Sequence, residues 1–169
     1  GTFALDITPV NDAPAAADDF VIQSPGPVTE DVVTSIDTAA LLANDSDVDG
    51  DVPTVTAVDA TSAHGAALTL NTDGTISYDP TGAVAAQALA EGQTLIDTFT
   101  YTTNDGNGGE DTATVYVLVR GTNDAPVVVD DVAQTAIPST EDAIALIDAA
   151  MLLANDSDVE GDALMMTSV

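Results

Sequence analysis

Eight residues, Leu41-Leu42-Ala43-Asn44-Asp45-Ser46-Asp47-Val48, return letter for letter as Leu152 to Val159. Asn11-Asp12-Ala13-Pro14 returns as Asn123-Asp124-Ala125-Pro126, and Thr29-Glu30-Asp31 as Thr140-Glu141-Asp142. Three landmarks in one order at one spacing, about 111 residues, identify a tandem array whose unit is one small domain. The 169 residues then divide into three parts. Residues 1–12 are the closing strand and linker of a preceding repeat. Residues 13–122 are a complete repeat, and residues 123–169 are a linker and the truncated start of the next. At that spacing Phe3, Leu5 and Ile7 fall on Val115, Val117 and Val119, which keeps the apolar alternation of a final strand.

The local pattern inside the unit is β. Val115-Tyr116-Val117-Leu118-Val119 is a β-branched and aromatic run that predicts a buried strand. Thr98-Phe99-Thr100-Tyr101-Thr102 alternates threonine with aromatics, as a strand buried on one face does. Residues 67–70 and 75–78 flank Asn71-Thr72-Asp73-Gly74, a hairpin turn. Further strands are expected at 19–23, 32–36 and 54–59, with short helices at 38–43 and 82–90. Six or seven short strands so arranged predict an all-β fold, an Ig-like antiparallel β-sandwich repeated in series.

Charge narrows the function. The chain carries 29 Asp and Glu against one Arg, Arg120, and no Cys, for a formal charge of −28. Nucleic acid is excluded as a partner, because nothing neutralises phosphates. Adsorption to anionic membrane is disfavoured, and no apolar run is long enough for membrane insertion or a signal peptide. Any export is expected to be directed from outside these residues. A hydrophobic fraction of 45% is too high for a disordered acidic chain, so the polypeptide must fold while crowding its carboxylates together. One arginine cannot supply the counter-charge; divalent cations can.

The densest acidic stretch is Asn44-Asp45-Ser46-Asp47-Val48-Asp49-Gly50-Asp51. In an extended loop Asp45, Asp47, Asp49 and Asp51 project to one side, and calcium takes six to eight oxygens of this kind. An EF-hand is excluded because its twelfth position, a bidentate Glu, is here Thr56. The second copy repeats the stretch at Asn155 to Asp162, with Asp156, Asp158, Glu160 and Asp162 as its acids. Asn104 to Asp111 reads equally as a Gly-rich hairpin loop or as the source of one ligand, Asp105. The junctions Asn11-Asp12 and Asn123-Asp124 read as Pro-stiffened linkers or as ion clamps. Glu30 and Asp31 are expected to approach the first junction from the following domain, as are Glu141 and Asp142 the second.

Asp111 to Val117, leading through Val119-Arg120-Gly121-Thr122 to Asn123-Asp124-Ala125-Pro126, resembles the last strand and linker of a cadherin repeat. With Leu42 to Asp51, it is similar to the bacterial cadherin-like repeats, often labelled VCBS, of giant RTX adhesins. The resemblance implies domains exported by type I secretion to the cell surface, calcium at their junctions, and a spacer role in adhesion and biofilm. It carries linker ligands onto Asn123 and Asp124, a ligand near the start of the next domain onto Glu141, and an acidic pair onto Asp45 and Asp47. Ala125 departs from animal cadherins, which usually have another Asn there.

An enzyme is not expected. His64 is the single histidine, and no nucleophile constellation surrounds it in sequence. With no Trp, three Tyr and three Phe, a sugar-stacking cleft is scarce. The alternative function is a calcium-dependent lectin-like module binding surface glycans or exopolysaccharide. The expected partners are adjacent repeats, with self-association through the truncated copy, whose apolar face needs cover. The Asn-x-Ser matches at Asn44 and Asn155 lie within the acidic loops and are read as coincidental.

Overall fold

A computed structural model describes residues 3, 8–21, 26–132 and 147–167. The expected positions Leu5, Ile7, Glu141 and Asp142 lie outside the described residues.

The complete repeat is a two-sheet sandwich. Its strands are β1 (Asp19–Val21), β2 (Val28–Thr29), β3 (Thr34–Asp37), β4 (Thr54–Val58), β5 (Ala67–Leu70), β6 (Thr75–Asp79), β7 (Thr94–Asn104) and β8 (Glu110–Arg120). One sheet has the order β1-β8-β7-β4, with β2 also on β8; the other is β3-β6-β5. The β7–β8 hairpin pairs without interruption from Thr94↔Arg120 to Asn104↔Glu110. The first two strands depart from the antiparallel rule, since β1 and β2 both run parallel to β8. They follow one another along its outer edge, so a long strand that would otherwise stay unpaired is covered in two short pieces.

Period-two burial builds the core. On β8 the inward residues Ala113, Val115, Val117 and Val119 are buried, and Thr114, Tyr116 and Leu118 between them are half-buried. On β7 Phe99 and Tyr101 do the same, and the facing sheet supplies Ile36, Leu68, Ile76 and Tyr78. The first helical segment falls where expected, and the second is shorter than expected. The first is α1 (Thr38–Leu41), continued by a 3-10 turn at Leu42–Asn44; the second is α2 (Val84–Gln87). Asp37 caps α1 by accepting from the Ala39 N–H at 2.9 Å. In the second copy Asp148 caps α3 (Ala149–Leu152) through Ala150 at 3.0 Å, so the repeat holds at the level of a single cap. Around it Val128, Val132 and Met151 are exposed, so the complete repeat does not cover these three residues.

The two sheets are also joined through a buried carboxylate. Asp97 lies on β7 in phase with Phe99 and Tyr101 and is 1% exposed. It accepts hydrogen bonds from Ser62 and Tyr78 hydroxyls, from the His64 and Thr98 N–H groups, and contacts His64 Nδ1 at 3.1 Å. Desolvation would raise its pKa, but these donors outweigh it and hold the carboxyl below the ordinary range. Asp97→Asn should cost about 3 kcal/mol at neutral pH, because it replaces an acceptor oxygen with an amide donor that faces buried donors. A depressed folded pKa gives stability that is full above the ordinary value of about 3.9 and is lost as pH falls through the folded one. The gap between wild type and variant, measured by urea unfolding in EDTA, should therefore close below about pH 4. A gap independent of pH would refute the assignment.

Candidate metal centre

The acidic loops gather at the two ends of the sandwich. At the N-terminal pole the segment 11–18 straps across the 44–51 loop. Ala15 and Ser46 exchange backbone hydrogen bonds at 2.7 and 3.1 Å. Ala17 N–H donates to Asp45 Oδ1 at 2.8 Å, Asp12 N–H to Asp49 Oδ2 at 2.7 Å, and Ala16 N–H to Asp111 Oδ2 at 2.9 Å. Asn11 Nδ2 reaches Asp105 Oδ2 at 2.7 Å. That contact, followed by the amides of Asn107 and Gly109, holds the Asp105 carboxyl below its ordinary range against partial desolvation. The hairpin and ligand readings of residues 104–111 thus describe one object: the loop turns through Gly106 and Gly108, both with positive φ, and its Asp105 is buried against the linker.

The four aspartates expected to converge do not share one point. Asp45 is taken by Ala17 and by the Tyr101 hydroxyl at 3.1 Å. Asp47 Oδ1 braces its own loop by accepting from the Asp49 and Asp51 amides at 2.8 and 3.3 Å. Asp51 accepts from Asn107 Nδ2 at 2.7 Å. Gly50, at φ +86°, folds the loop back, so the stretch is a sequence of Asx-type turns and not an extended ribbon. Asp47 Oδ2 remains buried with no hydrogen-bond partner.

The second copy reproduces the bonds between its own linker and its own acidic loop. Val127 and Ser157 exchange backbone hydrogen bonds at 2.7 and 3.0 Å. Val129 N–H donates to Asp156 at 2.9 Å, Asp124 N–H to Glu160 Oε1 at 2.8 Å, and the Glu160 and Asp162 amides to Asp158 at 3.1 Å each. Glu160 reaches the linker just as Asp49 does in the first copy. Asn123 donates to the carbonyl of Asp124 at 2.7 Å.

Glu30 and Asp31 correct the sequence expectation. They stand not against Asn11-Asp12 but at the opposite pole, because β2 pairs with the last residues of β8. Ten residue steps of β8 separate the two poles, roughly 30 Å. Glu30 is fully buried and accepts from Thr122 N–H at 2.6 Å, while the Thr122 hydroxyl donates to Asp31. Burial pushes the Glu30 carboxyl above its ordinary range, and the charges of Asp31 and Asp124 add to this against the Thr122 hydrogen bonds. Glu30, Asp124 and Glu160 bring their carboxylate oxygens within 4.8 Å of one another. Among the described residues this is the one group of three acids placed to share an ion. Glu30 Oε2 and Glu160 Oε2 are both buried without a hydrogen-bond partner. Three hard oxygen donors with no nitrogen or sulfur fit calcium and not a softer metal.

Residues 11–121 match the family model described as bacterial cadherin-like domain, and residues 122–169 match a cadherin-like domain. The chain belongs to the bacterial cadherin-like domain family, whose modules are adhesion-type, typically extracellular and typically without enzymatic activity. No curated protein matches it. Among the described residues no helix is long and apolar enough to cross a membrane.

Gly109 sets how closely the strap can approach: a Cβ there would meet Ala13 Cα at 2.7 Å and collide with Asp105. Gly109→Ala should destabilise the repeat by about 1–3 kcal/mol. Amide exchange should speed up first at Ala15, Ala17 and Ser46, with the β7–β8 ladder retained. Unchanged protection at those three amides would show that the strap does not depend on this approach.

Proposed function

We propose that Glu30, Asp124 and Glu160 hold a calcium ion at the junction, and that the chain is an extender segment of a secreted bacterial cell-surface adhesin. The RTX-type, VCBS-like array that the sequence resembles is the context this reading favours. The observation that carries it is the pair of donorless buried oxygens on Glu30 and Glu160, two acids whose carboxylates gather with that of Asp124. Two like charges within 4.8 Å of one another repel by roughly 3 kcal/mol or more at an effective dielectric near 20. Arg120, the one basic side chain, makes no ion pair among the described residues.

The three acids belong to three different parts of the array. Glu30 rides on the complete repeat, Asp124 on the linker and Glu160 on the following repeat. A single ion held by all three removes the hinge between successive domains; without it, repulsion favours opening. At the first junction Asp12 and Asp49 occupy the positions of Asp124 and Glu160. They await a glutamate of the preceding repeat, as Glu141 would serve the repeat that follows. The remaining coordination of six to eight oxygens would come from carbonyls and water.

Affinity of about 0.1–1 mM, usual for extracellular modules, would keep the joint loose in the cytosol and lock it outside. At free calcium near 100 times Kd the gain is about 2.7 kcal/mol per site. Calcium should therefore raise the melting temperature over an EDTA control and lengthen the particle in small-angle scattering. Glu30→Gln should remove most of both effects. Identical melting curves and scattering profiles in the two buffers would defeat the proposal.

A further inference from the structure

We propose an ion-independent binding site for a neutral polysaccharide on the outer face of the β1-β8-β7-β4 sheet, where Phe20 of β1 stacks on Tyr116 of β8. The two residues are register partners, their ring centroids lie 4.8 Å apart and their planes differ by 11°. Phe20 is 68% exposed, so the stacking leaves its other ring face open to solvent. One outward step further along the hairpin, Leu118 pairs with the exposed Ile96. Thr98, across from Tyr116, and Thr114, two residues before it, bring hydroxyls to the same face. Between Glu110 and Arg120 no outward position of β8 carries a charge, and none of β7 does, on a chain of formal charge −28.

The fold does not ask for these side chains. At the spacing that sets Asn123 on Asn11, Tyr116 and Leu118 fall on Ala4 and Asp6 of the preceding copy. Phe20 falls on Val132 of the following copy, whereas Thr114 falls on Thr2. A strand position that takes alanine or aspartate in a sister repeat needs no tyrosine or leucine in order to fold. Single exposed apolar residues need no explanation, but a contiguous group of four marks a contact surface. A pyranose ring pairs an apolar C–H face with a rim of hydroxyls. The open Phe20 ring suits the first, and threonine hydroxyls, which both donate and accept, suit the second. Acidic glycans are repelled, since a single arginine stands against 29 acids. Size argues against a protein partner, because four apolar side chains fall short of the roughly 800 Å² per partner of a stable complex. The site lies at the middle of β8, away from both acidic poles, so it does not rest on the junction reading.

Affinity electrophoresis of the full chain through gels containing mannan, dextran or a soluble mixed-linkage β-glucan tests it. Alginate serves as the acidic control, and each gel is run in calcium and in EDTA beside one without polysaccharide. At least one neutral polysaccharide should retard the wild type in both buffers, and alginate should not. Tyr116→Ala and Phe20→Val install the residues of the sister copies. They should keep the melting temperature and weaken the retardation several-fold each. No retardation by any of the three neutral polymers overturns the proposal, as does retardation that EDTA abolishes or that both variants retain. A wild-type dimer in sedimentation that Phe20→Val converts to monomer would assign the face to a second copy and equally overturn it.

Discussion

Twenty-nine carboxylates and one arginine leave the acidic loops of this fold dependent on a single kind of interaction, the hydrogen bond from N–H or O–H to a carboxylate. Backbone amides do the work that lysine and arginine do elsewhere. Asp37 caps a helix, Asp47, Asp73, Asp79 and Asp105 accept from amides two residues on, and Asp18, Asp45, Asp49 and Asp111 accept from distant strands and linkers. Charge-assisted bonds of this type are roughly twice as strong as neutral ones and fix geometry. The loops are therefore ordered by the acidity that would otherwise drive them apart.

The supply of such donors is finite, and where it ends the structure marks the place. Asp19 Oδ2, Glu30 Oε2, Asp47 Oδ2 and Glu160 Oε2 are the buried carboxylate oxygens without a donor among the described residues. They do not scatter over the surface. Two belong to the group at the junction, and the other two lie under the strap at the N-terminal pole. Counting donors thus singles out other carboxylates than counting acids does, since Asp45, Asp49 and Asp51 have found donors within the protein. Asp97 is the limiting case: fully supplied by hydroxyls and amides, it needs no ion and joins the sheets instead.

What could be read from the sequence follows the same division. Period-two alternation located β4 to β8 closely, because burial on one face leaves a direct trace in residue type. The two-residue β2 left none, and with it went the position of Glu30. A signal was available: the twelve steps from Asp18 to Glu30 are enough, at about 3.3 Å each, to span a full strand length and carry Glu30 from one pole to the other. The convergence expected of Asp45 to Asp51 failed for a local reason, since short acidic side chains prefer their own backbone amides when glycine lets the chain turn. Asp97 was likewise in view, in phase with Phe99 and Tyr101, although an acid at a core position is legible only once its donors are known.

Strand β8 connects these observations mechanically. Its first half is tied to the N-terminal linker through Asp111 to Ala16 and through Asp18 to Thr114. Its last residue accepts from the Glu30 amide at 3.3 Å, and the chain then runs directly into Thr122 and the junction acids. Between these ends it is paired with β7 over its whole length and edged by β1 and β2. Tension applied at one linker therefore passes to the next along a strand held on both sides, where many hydrogen bonds share the load. The weakest elements in series are then the junctions, where three carboxylates meet without a counter-charge of their own. On the proposed function, stiffness of the array is decided there, because a rigid domain adds nothing to a rod whose joints are free.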